Sequence, residues 1–320
     1  MIWLTWRQHR QQALLAVLVL AALAALLVPS GRQMHEVFAD TGLANCLQTL
    51  SRAEFIAEQA SGCEEPAGMF AQRYRTFTNV AIIFAILPLL VGLFFGAPLV
   101  AREMEQGTHR LVWTQGATRR RWILVKFGLV GAFGLALAAG YALLVSWWLE
   151  PLAQASAARF GYRMFDVLGV VPIGYTVFAV AAGVLAGTIW RGVSAAMAAT
   201  LVAFVAARIV VWMARPHFLA ARERRFPIAT DARPNRLLGD WLLDFGLYDA
   251  AGHKLQRAYR VSCLPGSDAC ERYPDDAYNL HVFQPANRFW PFQLIETGVF
   301  VALAAVMLAV AIHRVRRRLS

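Results

Sequence analysis

"VAIIFAILPLLVGLFFGAPLV", residues 80–100, runs for 21 residues without a charge, and "AREMEQGTHRLVWTQGATRRRW", residues 101–122, follows at once with dense charge and polarity. A spanning helix needs about 20 largely apolar residues, because the hydrocarbon core of a bilayer is about 30 Å thick and each helical residue rises about 1.5 Å. The first stretch meets that requirement. The second is too polar for lipid and belongs to an aqueous face of the membrane.

The rest of the chain follows the same pattern. Of the 320 residues 58% are hydrophobic and 16% charged, and the mean hydropathy is +0.47. These values exclude an ordinary soluble domain. Besides Val80–Val100, apolar runs extend over Ala13–Val28, Trp122 to about Leu149, Val167–Trp190, Ser194 to about Met213 and about Gln293–Ala311. The expected fold is all-α and polytopic, with six transmembrane helices in a single domain over residues 1–320. Arg7 and Arg10 before the first run would also suit a secretory signal, but no small-x-small cleavage site follows Val28 and five later spans commit the chain to the membrane.

Charge sets the expected orientation, since Lys and Arg are retained in short cytoplasmic loops. With both termini cytoplasmic, residues 1–12, 101–126, 190–193 and 312–320 hold 13 basic residues against Glu103 and Glu105. The opposite loops, 29–79, 149–166 and 214–292, balance at 17 basic and 17 acidic. The whole net charge of +11 therefore falls on one face, where anionic lipid and topology explain it without nucleic acid. Most tryptophans, including Trp3, Trp6, Trp147 and Trp148, fall at expected helix ends.

All four cysteines lie in the two large outer loops, Cys46 with Cys63 and Cys263 with Cys270. Stable disulfides belong to oxidising compartments, so one local bridge is expected in each loop. Zinc is the competitor at the second pair, with His253 and His281 nearby, but the ligand spacing is wrong for it. In the first extracellular loop (29–79), "LQTLSRAEFIAEQ" (Leu47–Gln59) has roughly helical apolar spacing. The last (214–292) is long enough to fold as a cap, in which "RLLGDWLLDFGLYD" (Arg236–Asp249) reads as an amphipathic helix.

Small residues recur every four positions in three spans: Gly128, Ala132, Ala136, Gly140; Ala179, Gly183, Gly187; and Ala195, Ala199, Ala203, Ala207. Such stripes let helices approach closely in lipid. Two ionisable residues lie inside spans, Arg208 and Glu296. Each is shallow enough to snorkel outward; the competing readings are a pair across helices, or contact between Arg208 and an anionic part of a transported molecule. No GxxxxGK[ST], HExxH, GxSxG or CxxC occurs, so the chain has no phosphate-cradling loop of its own and no catalytic constellation.

Within the 101–121 loop, Met104, Thr108, Leu111 and Val112 line one face of a helix, with Gly107 marking a bend or close approach. Thr118 can cap the third span. Arg119, Arg120 and Arg121 then occupy its first turn, where the macrodipole disfavours cations; topology or an acidic partner must account for them.

"EMEQGTHRLVWTQGATRRRWILVK" resembles the E-x-E-x-G-T, T/S-R, Lys pattern after the second span in permeases of the ABC type 2 export class. "WLTWRQHR" (Trp3–Arg10) and "FQPANRFWPFQLIETG" (Phe283–Gly298) resemble the N-terminal elbow and the approach to the final span in actinobacterial members. The resemblance implies a non-catalytic subunit of a bacterial cell membrane that exports a drug, lipid or peptide. ATP and Mg would be bound by a separate ABC ATPase subunit, docked on a coupling helix matching Glu103, Glu105, Gly107, Thr108, Arg110, Thr118 and Arg119–Arg121. Trp3, Trp6, Arg7 and Arg10 would form the elbow, and a second permease half, identical or a sister chain, would complete the path. The long outer loop departs from the class. A membrane sensor or resistance protein whose cap binds a ligand is the alternative.

Overall fold

The computed structural model describes residues 2–50, 53–57, 62–105, 119–190, 192–228, 232–263, 268–274 and 276–318. Six of its helices or helix runs are long and apolar enough to cross a membrane. They are α1 (Ile2–Asp40), the broken run α4 (Arg75–Phe84), α5 (Leu87–Val91), a π-turn (Gly92–Gly96) and α6 (Ala97–Glu105), then α7 (Arg119–Ala155), α8 (Val171–Ile189), α9 (Val193–Ala214) and, after a folded insert, α11 (Phe289–Arg318). Helices α2 (Leu43–Leu50) and α3 (Glu64–Arg73) lie between α1 and α4.

Helix α8 is the hub. Two thirds of its most apolar stretch is buried, far more than in any other span. It packs on α11, α6, the π-turn, α9 and α7. The sequence explains why: Ala179, Gly183 and Gly187 present almost bare backbone. A Cβ at Gly183 would lie 2.5 Å from the Ala97 nitrogen, and one at Gly92 would lie 2.6 Å from the Ala179 Cβ. The π-turn places Gly92 and Gly96 on this seam. The stripe on α7 behaves differently: among the described residues nothing lies within 4 Å of a Cβ built on Gly128, and one on Gly140 makes only ordinary contact with Leu20 at 3.4 Å. Among the described residues, periodicity alone did not separate the packed stripe from the open one.

The second span breaks where its sequence demands it. Pro88 has no N–H, so the Phe84 carbonyl four residues earlier loses its helical donor. The Tyr141 hydroxyl donates to that oxygen instead, at 2.7 Å. Pro29, by contrast, is absorbed inside α1, which runs on to Asp40. The connection between the first two spans is therefore shorter than the apolar run suggested. Nor is there a chain break after Arg10: the expected elbow, with Trp3, Trp6, Arg7 and Arg10, is the first part of α1. No Gly or Pro interrupts the polar-to-apolar passage there, so the helix propagates. Trp148 is 2% exposed and donates from Nε1 to the Ser30 hydroxyl at 3.1 Å; it is a core residue of α7, not an interfacial anchor.

At the end of the bundle opposite the α6–α7 connection, the insert builds an antiparallel sheet in the order β2 (Arg222–Pro227), β6 (Tyr278–Gln284), β4 (Trp241–Tyr248), β5 (Lys254–Gln256). Two further strands, β1 (Phe55–Ala57) and β3 (Ala232–Pro234), pair with each other and join the connection between the first two spans to this cap. The expected helix over Arg236–Asp249 is not formed. Gly239 adopts φ +76° and ends a single 3-10 turn, and β4 then pairs along its length with β6. Two glycines weaken the helical alternative, and cross-strand pairing outweighs periodicity. Likewise Leu47–Gln59 is helical only to Leu50, and its described remainder contains β1. Cys46 is bonded to Cys63 and Cys263 to Cys270, with Cα separations of 5.8 and 5.4 Å. That bond removes the thiolates a zinc site at the second pair would need. The four-residue helix α10 (Asp268–Glu271) carries Cys270.

His281 on β6 is fully buried, and its Nε2 donates to the Tyr259 carbonyl at 2.6 Å in the neutral ring. Burial pushes its pKa below the ordinary histidine value; the Tyr259 hydrogen bond and Asp240 oppose this, while Arg224 and Arg236 reinforce it. The unfolded chain then binds the proton more readily. Stability is full above the unfolded value of about 6.5 and is lost as pH falls toward the folded pKa. Thermal unfolding followed from neutral to mildly acid pH should show this loss in the wild type and less of it in His281→Gln, which keeps a donor and does not titrate.

Candidate functional site

Two places gather the residues singled out in the sequence. The first lies where α8, α9 and α11 meet beneath the cap. The Arg215 guanidinium, 2% exposed, donates from Nε to Glu296 Oε2 at 2.7 Å, and from Nη2 to Glu296 Oε1 at 2.9 Å and Asp166 Oδ1 at 2.7 Å. Arg208 donates from Nη2 to Asp166 Oδ2 at 2.5 Å. The Tyr175 hydroxyl lies within hydrogen-bond reach of both Glu296 Oε1 and Asp166 Oδ1. Arg208 also stacks over the Tyr175 ring at 3.9 Å, and Arg215 over Phe165 at 4.1 Å.

Two carboxylates and two guanidiniums cancel, which is what a water-poor site requires. Glu296, 1% exposed, does not snorkel. Arg208 and Glu296 pair across helices, though with Asp166 and Arg215 rather than with each other. The arrangement is an electrostatic joint in which all four carboxylate oxygens and the Tyr175 hydroxyl are engaged, while Arg208 Nη1 is buried without a partner. It is built to hold helices in register rather than to do acid–base chemistry.

Gln293 extends the joint. Its Oε1 accepts from the Val170 and Val171 amides at 3.0 Å each, and its Nε2 donates to the Phe165 carbonyl at 3.0 Å. The amides are the unsatisfied donors at the start of α8, so one side chain from α11 caps α8 and fixes the Asp166 loop. Sequence reading missed Asp166, Arg215, Tyr175 and Gln293. Asp166 and Arg215 fall just outside their apolar runs and were counted as loop charges.

The second place is the opposite end. Glu105, the last residue of α6, accepts from the Val193 amide at 3.2 Å. Val193 is the first residue of α9, and Gly192 before it has no side chain to cap the helix. Glu105 supplies that cap, in the polarity the macrodipole favours. Of the other expected coupling residues, Glu103 lies in α6 and Arg119–Arg121 form the first turn of α7. Gly107, Thr108, Arg110 and Thr118 lie outside the described residues.

The family described as ABC-2 membrane transporter related matches residues 17–215, from α1 through the end of α9. The chain belongs to that family. An ABC-2 type permease is a membrane subunit, and the multi-pass bundle is its membrane domain. The family match ends at Arg215, so the cap and α11, which supplies Glu296 and Gln293, lie beyond it. No curated protein and no solved structure matches the chain.

Proposed function

We propose that the chain is the transmembrane half of an ATP-driven exporter for a hydrophobic or amphipathic molecule, worked by a separate ABC ATPase that binds ATP and Mg. Both termini and the α6–α7 connection are cytoplasmic; the disulfide-bonded cap is extracellular. A second permease half, a copy of this chain or a sister, completes the path in a bacterial cell membrane. The one-sided excess of Lys and Arg supports the orientation, and the two disulfides at the cap end fit an oxidising exterior.

The observation that carries the reading is the Glu105–Val193 bond. A chain with no phosphate-binding loop must receive its work from outside. The connection between α6 and α7 is the receiving element, and Glu105 ties it to the foot of α9. Displacement of that connection by the ATPase would move α7 directly and α9 through Glu105. Both helices end beside the cap, so motion at one face reaches the other.

Replacing Gly107–Arg110 by alanines should abolish copurification of the ATPase and the stimulation of its hydrolysis by exported substrate. Glu105→Ala should retain copurification and lose much of the stimulation, since the dock survives and the tie does not. Association and stimulation unchanged in the first variant would overturn the proposed coupling role.

A further inference from the structure

A cleft of about 420 Å³ opens on the cap, away from the buried joint, with Arg224, Arg236, Asp240, Leu242, Tyr259 and His281 among its lining residues. Its floor is one face of the sheet, where Arg224 on β2 and His281 on β6 are cross-strand partners.

Most of the polar groups there are committed. Arg224 donates to Glu54 at 2.5 Å and to Asp240 at 3.0 Å. The other oxygen of Asp240 accepts from the Ala286 amide at 3.0 Å. His281 spends its proton on Tyr259. Arg236 is different: it is exposed, its Cζ lies 4.0 Å over the Tyr259 ring, and its side chain makes no hydrogen bond or ion pair among the described residues.

We propose that this cleft is a binding site for a small monocarboxylic acid, with the Arg236 guanidinium, held against the Tyr259 ring, as its anion-recognising group. Charge sets the class. Arg224 donates to both Glu54 and Asp240, which leaves Arg236 as the guanidinium without an ion pair among the described residues; the four charges together sum to zero, so the cleft suits a monoanion at Arg236, whereas a dianion such as phosphate would face the Asp240 wall with no second free cation. Shape narrows it further. A guanidinium stacked on an aromatic ring presents its edge as a planar fork, which matches a carboxylate in two parallel hydrogen bonds. Leu242 and Tyr259 offer apolar contact for the body of the acid. The volume lies within the range of small-molecule pockets, about 300–1,000 Å³. The inference does not depend on the direction or the energy source of transport.

The test is benzoate binding to the full-length protein in lipid nanodiscs, with benzyl alcohol and inorganic phosphate as comparison probes, followed by calorimetry and by saturation-transfer NMR. Saturable benzoate binding is expected in the wild type, weakened at least tenfold in Arg236→Ala. Arg236→Gln, which keeps a planar group over Tyr259 but no charge, should be weakened equally while melting like the wild type. Arg236→Lys should recover only part of the affinity, because it lacks the fork. Absence of saturable benzoate binding, phosphate or benzyl alcohol binding as tight as benzoate, or an affinity unchanged in both Arg236→Ala and Arg236→Gln would each overturn the proposal.

Discussion

Arg215→Ala is expected to destabilise the folded protein by about 3–5 kcal/mol, the range for removing one partner from a buried ion pair. The loss comes less from the attraction given up than from what remains. Glu296 would keep its charge at 1% exposure with only the Tyr175 hydroxyl beside it, and Asp166 would retain only Arg208 and Tyr175. The structure could relieve this by admitting water, which loosens the junction of α8, α9 and α11. Denaturant titration in detergent, read by near-UV circular dichroism, gives the magnitude.

The partner variant distinguishes this account from simple loss of packing. Arg215→Met combined with Glu296→Leu removes both charges and keeps volume, so the double variant should be more stable than Arg215→Ala. Coupling between the two sites of more than about 1 kcal/mol is expected for residues in one buried network. A double variant whose cost equals the sum of the single costs would mean that the pair does not act as a unit.

Hydropathy exposes the six spans because lipid imposes a length and a polarity that short-range sequence can express. Arg208 and Glu296 are visible for the same reason: a charge inside an apolar run stands out. Asp166 and Arg215 are as deeply placed, yet a window average moves them into loops, because one apolar run begins at Val167, just after Asp166, and the next ends at about Met213, just before Arg215. Their shared cue is position, since each adjoins the cap-end limit of a span. Strand β4 of the cap was hidden for a different reason. Leu237, Leu238, Trp241, Leu242 and Phe245 satisfy a helical face as well as they satisfy a strand, and β4 is decided by its partner β6 some 30 residues later. Local periodicity carries no information about that partner.

The seam on α8 yields the other large effect. Gly183→Val is expected to prevent the bundle from closing, and Gly183→Ala to cost at least the about 1–3 kcal/mol typical of overpacking. The added Cβ would meet the Ala97 nitrogen at 2.5 Å, the Gly96 carbonyl carbon at 2.7 Å and the Gly92 oxygen at 2.8 Å. These are backbone atoms, so no rotamer change relieves the clash; α6 and the π-turn must move away from α8. Gly128→Ala provides the contrast. It lies in a helix with open space around its Cβ, so it should be neutral or stabilising by up to about 1 kcal/mol through helix propensity. Purified yield and denaturant midpoints of the three variants compare the two stripes directly, and equal behaviour of Gly128→Ala and Gly183→Ala would refute the assignment of the seam. The consequence reaches the coupling end as well. Gly187 continues the seam, its Cβ position 2.9 Å from the Ala101 nitrogen, and Glu105 lies one helical turn beyond. Forcing α6 from α8 should therefore also pull Glu105 away from Val193; under the coupling role proposed above, whatever Gly183→Ala protein does fold should bind the ATPase yet respond poorly to substrate.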